Sequence, residues 1–600
     1  MRRKERIFKR IPFFFIIKMI LFLVISAPFL LLVSRFFVIS LSRMDVFYEL
    51  EFQEGDMALA CHRFLKGLPL YPDPEDGFVH LTYPPATDVI TSIAMVFMGS
   101  REIWVGRLVQ FLFTMGTCIV LFSWVKRETE NIFGALLAPL MFLAYYPITG
   151  YWYDIFRPDS GFIFLSLLGC YLLTWRYPGR EGIMAGIAGA LVFSIAAYTK
   201  QSAVLFGGVA FIFHALLYRN KTPLITATVG LFVSVLLLVY LYLTNPFFHV
   251  QCIQILLEHF KNLGNWRNRL NTELIQFTII PFTAIFIWYL SSVFEKRWRA
   301  FIHLALLAVA IYAGLKGLFK IGGYKNNYYP PVVFLSLGMG WATGSFFRFK
   351  RKKTRWEILY IAFLWFMAGV GLWYLFTISK NYLSTIILVI FIVLGIAWSL
   401  RCLVSGERII LYLASVLIWA LFLFLWGGFL CDQFGALTPQ ITPKGRLRFV
   451  TRYKVEHKIP DPKIVEKSRL VLQKIDKLPG TVYIPHHNYY TWLIGRPIFY
   501  PIDTIRDLTL GRGLKMIPRR ILKALREKKF DFIILNAPIK YDWLDNPVRR
   551  LIQANYEQVE SLEKMGFRLL RPVDATGMKP RYIWRRKDWK EKKEPQSRTR

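Results

Sequence analysis

Long apolar segments without a charged residue recur along this 600-residue chain, and they constrain its fold more than any other feature. Residues 19–33 and 224–244 are two such segments. A helix needs about 20 apolar residues to cross the ~30 Å hydrocarbon layer of a membrane. Charged residues make up only 19% of the chain, whereas about 25% is usual in soluble proteins. The sequence therefore predicts an α-helical multi-pass membrane protein.

Hydropathy and loop charge together predict the number and direction of the helices. Cation pairs such as Lys126-Arg127 fall in alternate short loops, and loops rich in lysine and arginine stay on the cytoplasmic side. The N-terminus is therefore predicted inside the cell, and an odd number of helices carries the C-terminus outside. If the weak segment 382–400 did not cross, everything after it would be inverted. The thirteen predicted helices cover residues 12–40, 104–125, 132–148, 161–176, 183–199, 202–218, 224–243, 274–294, 299–316, 328–347, 356–377, 382–400 and 409–430.

The chain after the last predicted helix has a different texture. Residues 1–430 are predicted to form the membrane domain, and residues 431–600 a small extracytoplasmic α/β domain. Strand-like segments at Thr481–Ile484 and Phe530–Leu535 alternate with amphipathic helical segments. The predicted helices of this domain are Ile464–Lys477, Pro518–Lys528 and Val548–Met565.

The net charge of +37 raises the question of a nucleic-acid partner. In a membrane protein, a basic balance is better explained by loops that are retained in the cytoplasm. We therefore predict no nucleic-acid partner and a location in the cell (cytoplasmic or inner) membrane. Whether the basic C-terminal domain binds acidic polymers or the headgroups of membrane lipids is left open.

The first predicted outer loop, residues 43–103, is far longer than ordinary connections, and loops of this length are usually functional. It contains a short apolar segment at residues 84–99, which follows Tyr83 and carries Asp88. This segment is too short to span a membrane, so it is predicted to lie in the interface.

Ionisable side chains gather near the outer ends of the predicted helices, where burial is costly unless the groups pair or function. For each group a structural explanation stays open, such as a solvated loop, an internal salt bridge or a lysine extending to the interface. The candidate residues are Glu54 and Asp56 in the first loop, Asp154, Arg157 and Asp159 in the second, Lys200 after the fifth helix, Arg267 and Arg269 before the eighth, and Lys325, Asn326 and Tyr328 before the tenth.

The order of these segments resembles the GT-C superfamily of membrane glycosyltransferases, which includes protein O-mannosyltransferases and lipid A aminoarabinose transferases. The resemblance rests on an acidic Glu-Gly-Asp loop, Tyr-Pro-Pro, Asp…Arg-Pro-Asp, Thr-Lys and Gly-Gly…Asn-Tyr, in that order. It implies a polyprenyl-phosphate-linked sugar as donor. It also implies a glycan, lipid or protein acceptor on the outer face of the membrane.

The resemblance also implies roles for individual residues. The catalytic carboxylate of the first loop corresponds to Asp56 or Glu54, and that of the second loop to Asp154 or Asp159. Tyr83 stands where aminoarabinose transferases have a phosphate-binding lysine. A divalent cation that bridges a carboxylate and the phosphate is compatible with the family, and the sequence assigns it no ligands. The family's phosphate-binding cations correspond to Lys200, to Lys325 or to the pair Arg267 and Arg269.

The chemistry needs only a few groups. Because polyprenyl phosphate is already a good leaving group, the reaction needs one carboxylate to take the acceptor proton and positive charge to hold the phosphate. We therefore expect an inverting glycosyltransferase with Asp56, Asp154 and Lys325 in one site. The alternative is a lipid-linked sugar flippase or secondary transporter, whose carboxylates would lie on broken helices at the middle of the membrane.

Overall fold

A computed structural model shows a predominantly helical protein. It describes residues 2–175, 179–218, 220–255, 270–294, 298–320, 323–347, 458–510, 517–542, 544–566, 569–573 and 578–589, with the helical residues 419–431 (except 425 and 428) and two short strands at 438–441 and 447–450. The predicted helix 382–400, the whole of 356–377 and the first half of 409–430 lie outside the described residues.

Each of the first ten predicted helices overlaps a helix of the structure. Five of the described helices are long and apolar enough to cross a membrane, and they include Ile103–Thr129 and Thr222–Thr244. The helices up to residue 347 are Arg2–Ser42, Glu54–Leu65, Ala86–Met98, Ile103–Thr129, Ile132–Ala144, Asp159–Leu173, Gly179–Ala197, Ala203–Leu217, Thr222–Thr244, Gln276–Phe294, Trp298–Leu318 and Tyr329–Phe347.

Small residues let the helices at the centre of the bundle approach closely. A Cβ on Gly134 would lie only 2.4 Å from the backbone oxygen of Gly340. The helices Ile132–Ala144 and Tyr329–Phe347 therefore pack backbone against backbone, as is common in membrane bundles where small residues line the contact.

The short apolar segment of the first loop forms the helix Ala86–Met98. Its side chains include Val96 and Phe97, which are 66% and 86% exposed. One side of the helix is buried through Asp88 and Thr91. This arrangement agrees with the predicted interfacial helix.

The C-terminal part, which follows residue 431, contains the strands β1 Thr438–Ile441, β2 Leu447–Val450, β3 Val482–Tyr483, β4 Phe532–Leu535, β5 Tyr556–Ser561 and β6 Tyr582–Arg586. Four of them form a sheet in the order β3-β4-β6-β5, and β1 and β2 form a separate hairpin. The predicted helix Val548–Met565 is wrong in its second half. The helix ends at Asn555, and Tyr556–Ser561 pairs with β6 as an antiparallel edge strand, a position that Tyr556 and Val559 suit. The helices are Pro462–Asp476, Asn488–Leu493, Ile502–Leu510, Arg519–Arg526 and Asn546–Asn555.

The C-terminal part packs directly on the first loop. The two share one hydrophobic core, which includes Leu50 and Met57 from the loop and Ile484 and Tyr489 from the C-terminal part. The imidazole of His62 also stacks on another C-terminal side chain, the indole of Trp492, with 4.1 Å between ring centroids. The loop and the C-terminal part therefore lie at the same end of the helix bundle. The boundary of the C-terminal domain at residue 431 stays a prediction.

Candidate active site

A fully buried ion pair fixes the start of the helix Glu54–Leu65. The guanidinium of Arg107 donates to both carboxylate oxygens of Glu54, over 3.0 and 2.7 Å. The same oxygens accept backbone N–H bonds from Leu50 at 2.7 Å and Phe156 at 2.9 Å. Arg107 also donates to backbone carbonyls of the first loop, including that of Tyr48. The carboxylate of Glu54 is thus saturated, and it joins the first loop to the second.

A second buried ion pair holds Asp154. Arg43, at the end of the first helix, donates to both oxygens of Asp154 over 2.7 Å, and the hydroxyl of Tyr146 also donates to this carboxylate. The side chains of Arg43 and Asp154 are 0% and 1% exposed. Asp154 therefore fixes the second loop to the first helix, beneath the groups described next.

Arg157 is the centre of a polar cluster between the first and second loops. Its guanidinium donates to Glu51 at 3.1 Å, to the amide oxygen of Gln53, and to the hydroxyl of Tyr83 at 3.2 Å. It also lies 5.4 Å from the ring centroid of Trp152. The structure thus brings Arg157 and Tyr83 together, as two of the predicted site residues.

Tyr83 also adjoins a second cation. The ammonium of Lys200 lies 5.8 Å from the centroid of its ring and donates to Asp159 at 2.7 Å. The same oxygen of Asp159 accepts from the side-chain amide of Asn326 at 3.1 Å. Asp159 therefore joins the ends of the fourth, fifth and tenth predicted helices, and the two cations Arg157 and Lys200 flank one phenol.

Asp56 lies one position beyond Gly55 in the first-loop helix, and it is half-buried. Burial raises the pKa of its carboxyl well above the ordinary value, and the nearby charges of Asp503 and Glu49 raise it further, while Arg157 opposes them. The charges that act on Asp56 thus come both from the Arg157 cluster and from Asp503 of the C-terminal part. A carboxylate whose pKa is raised takes up a proton more readily than an ordinary carboxylate, as a general base must.

The remaining predicted residues surround this cluster. Lys325 and Asn326 begin a short 3-10 helix, Lys325–Tyr328. A Cβ on Gly150 would lie 3.1 Å from the Cβ of Lys325, so this segment packs on the second loop. Tyr328 is buried in the core of the bundle. Arg267 and Arg269 lie outside the described residues.

The C-terminal part contributes buried titratable groups that sequence reasoning missed. His487 pairs with Glu49 of the first loop. His486 lies between two carboxylates, 2.9 Å from Asp503 and 2.7 Å from Asp542. Burial disfavours the charged imidazole, but Asp503 and then Asp542 overcome this, so the pKa of His486 is well above its ordinary value. The only signal in the sequence was a pair of adjacent histidines directly after a predicted strand.

Several buried polar atoms around Arg157 have no hydrogen-bond partner within the described part of the chain. They are Nε of Arg157, Oε1 of Glu51 and Oδ2 of Asp159. Burial raises the pKa of Glu51 to about 7, so near neutral pH this carboxyl carries only part of a negative charge. Among these atoms the Nε–H of Arg157 can donate to an anionic ligand, whereas the oxygens of Glu51 and Asp159 can accept from a hydroxyl. Among the described residues, no group of three or more His, Cys, Asp or Glu side chains could hold a metal ion.

Comparison with solved structures decides the fold. ArnT from Cupriavidus metallidurans bound to undecaprenyl phosphate, a GT-C protein, aligns with 92% of this chain and 97% of its own, at 13% sequence identity and a TM-score of 0.50. The chain has the GT-C fold. The fold predicted from the order of the loop motifs is thereby confirmed.

Two other solved structures align with lower TM-scores, and no protein-family model and no curated protein matches the sequence. The apo state of the same ArnT aligns at 14% identity and a TM-score of 0.49, over 92% of this chain and 97% of the other. The oligosaccharyltransferase of Archaeoglobus fulgidus tethered with an acceptor peptide aligns at 9% identity and a TM-score of 0.39, over 85% of this chain and 69% of the other.

Proposed function

We propose that this chain is a glycosyltransferase that moves a sugar from a polyprenyl-phosphate donor to an acceptor hydroxyl, with inversion at the anomeric carbon. The observation that carries the proposal is the position of Asp56. This half-buried carboxylate is close enough to Arg157 for their charges to interact, and Arg157 shares Tyr83 with Lys200. A base therefore lies beside two cations in a chain with the GT-C fold, which is the combination that this transfer requires.

The reaction takes place on the outer face of the cytoplasmic membrane. The first loop, the second loop and the segments around Lys200 and Lys325 meet at one end of the helix bundle, and loop charge predicts that end to face outward. The C-terminal part packs on the same end. Donor lipid, acceptor and catalytic groups would thus meet where the hydrocarbon layer ends.

The phosphate of the donor binds beside Tyr83. Arg157 and Lys200 supply the charge, and Lys325 lies on the neighbouring segment that also carries Asn326. Both cations already have carboxylate neighbours in Glu51 and Asp159, and the raised pKa of Glu51 weakens the negative charge opposite Arg157 near neutral pH. Tyr83 adds a hydroxyl at the place where related aminoarabinose transferases have a lysine.

Asp56 rather than Glu54 serves as the base. The oxygens of Glu54 are occupied by Arg107 and by backbone N–H groups, so they have little capacity left for a proton or an acceptor. In the proposed step the acceptor oxygen bonds to the anomeric carbon, the bond from this carbon to the phosphate oxygen breaks, and Asp56 takes the acceptor proton. Polyprenyl phosphate leaves against Arg157 and Lys200. A single displacement inverts the anomeric carbon.

The test compares Asp56→Asn with Asp45→Asn in proteoliposomes that hold radiolabelled polyprenyl-phosphate sugars and an envelope extract as the acceptor source. Asp45 is an exposed carboxylate of the same loop, so its variant is the matched control. We expect Asp56→Asn to lose about 10²- to 10⁴-fold in sugar transfer, with the control unchanged. Wild-type transfer by Asp56→Asn would refute the assignment of the base. Movement of the donor lipid between leaflets without any transfer by the wild type would favour the flippase alternative.

A further inference from the structure

The C-terminal part carries a second group of buried polar side chains that the proposed mechanism does not use. Both amide atoms of Asn488, the hydroxyl of Thr491 and one carboxylate oxygen of Asp503 have no hydrogen-bond partner in the segments that the structure describes. Asn488 is 1% exposed, Thr491 0% and Asp503 8%. A buried polar group without a partner is costly, and it is rare in folded proteins unless a ligand or an ordered water completes it.

The chain holds these groups firmly. Asn488 and Thr491 are three residues apart in the helix Asn488–Leu493, so they share one face. Asp503 is oriented by His486, which binds its other oxygen and is itself held by Asp542. Because His486 uses both ring nitrogens on these carboxylates, it acts as a fixed support for Asp503. The free oxygen of Asp503 is therefore held in a defined position.

This group borders the proposed base. The pair of His487 and Glu49 joins the segment before Asn488 to the first loop, and a Cβ on Gly55 would lie 2.6 Å from the Cβ of Tyr489. The negative charge of Asp503 raises the pKa of Asp56, the residue after Gly55. The polar group thus lies on the C-terminal side of Asp56, whereas Arg157 and Lys200 lie on the side of the helix ends.

We propose that Asn488, Thr491 and Asp503 bind hydroxyl groups of the acceptor, and that the acceptor is therefore a carbohydrate. The proposal rests on the proposed function, because it assigns an acceptor site next to the proposed base, on the C-terminal side of Asp56. An amide donates and accepts, a hydroxyl does both, and a carboxylate accepts. The hydroxyl groups of a sugar can donate to and accept from groups of all three kinds. A lipid tail would leave them unpaired.

The test is a binding measurement that needs no turnover. Detergent-solubilised full-length protein is applied to an array of hexose, pentose and amino-sugar oligosaccharides, peptides and sugar-free lipids, and its binding to undecaprenyl phosphate is measured separately. Thr491→Val and Asn488→Leu keep the side-chain size and remove the polar atoms. The matched control is Thr504→Val, because the buried hydroxyl of Thr504 is already bonded to the carbonyl of Pro501.

We expect the wild type to bind glycans, and Thr491→Val and Asn488→Leu to bind them about tenfold more weakly. Thr504→Val should bind glycans as the wild type does, and all variants should bind undecaprenyl phosphate as the wild type does. The proposal is overturned if the wild type binds only peptides or sugar-free lipids, or nothing on the array. It is also overturned if Thr491→Val is more thermostable with unchanged glycan binding, which would mean that the hydroxyl has no ligand.

Weaker binding of Thr491→Val to undecaprenyl phosphate, with unchanged glycan binding, would assign the group to the donor and overturn the acceptor site. None of these results depends on whether Asp56 is the base. Failure of this inference is therefore distinguishable from failure of the proposed function, which is measured by transfer in Asp56→Asn.

Discussion

Replacing Glu54 and Asp56 in turn distinguishes the residue that supports the site from the residue that performs the chemistry. Glu54→Gln keeps the size of the side chain but removes the charge opposite Arg107. The amide nitrogen of the glutamine would also face donors, namely Arg107 and the backbone N–H groups of Leu50 and Phe156. Asp56→Asn removes a carboxylate that burial and its neighbours already disfavour in the charged form.

The two variants should differ in stability. Glu54 and Arg107 are both 0% exposed, and breaking a buried pair by removing one partner typically costs about 3–5 kcal/mol because the other charge stays buried. At about 2 °C per kcal/mol, the Tm of Glu54→Gln should fall by roughly 6–10 °C. The Tm of Asp56→Asn should stay unchanged or rise, because its carboxylate gains little from its surroundings.

The assay is thermal unfolding in detergent, followed by sugar transfer at a temperature where both variants are folded. We expect Glu54→Gln to be the less stable variant with measurable transfer, and Asp56→Asn to be stable and inactive. The opposite pattern, with a folded and inactive Glu54→Gln and an active Asp56→Asn, would show that the saturated carboxylate is the base. Saturation of the Glu54 oxygens with hydrogen bonds would then not exclude Glu54 as the base.

Three further variants test the surroundings of Asp56. Asp503→Asn removes a neighbouring negative charge, so the pKa of Asp56 should fall and the acidic limb of the pH–rate profile should move to lower pH; an unmoved limb would contradict this coupling. Gly55→Ala would place a Cβ 2.0 Å from Glu49 and 2.6 Å from Tyr489, so we expect a loss of about 1–3 kcal/mol and faster proteolysis of the C-terminal part. Lys200→Met should weaken binding of undecaprenyl phosphate about tenfold in a titration, and unchanged binding would remove Lys200 from the phosphate site.

The membrane fold and the approximate position of the site could be predicted because they depend on local signals. Apolar length predicts a spanning helix wherever it occurs, and the ends of such helices at one membrane surface must meet. Arg157, Tyr83 and Lys200 were therefore expected near one another without any knowledge of their contacts. The order of short motifs in the loops was sufficient to predict the GT-C fold.

Side-chain partners could not be predicted, because they depend on contacts between distant parts of the chain. Nothing local distinguishes Glu54, which is saturated by Arg107 of the helix Ile103–Thr129, from Asp56 two residues later. The pairing of Glu49 with His487 joins residues 438 positions apart. The local pattern of Tyr556–Ser561 predicts a helix. The segment forms an edge strand instead, because its pairing with β6 outweighs that local pattern.

The pairing of Glu49 with His487 also constrains the topology. Because these residues are in contact, the chain between them must cross the membrane an even number of times. Twelve of the thirteen predicted helices lie in that interval, which satisfies the condition, whereas removal of the predicted helix 382–400 alone would leave eleven and separate the two residues by a bilayer. We therefore expect alkaline phosphatase fused to the C-terminus or inserted at residues 378–381 to be active outside the cell, and phosphatase inserted at residues 401–408 to be inactive. An inactive C-terminal fusion in a protein that still transfers sugar would contradict both the even count and the contact between the first loop and the C-terminal part.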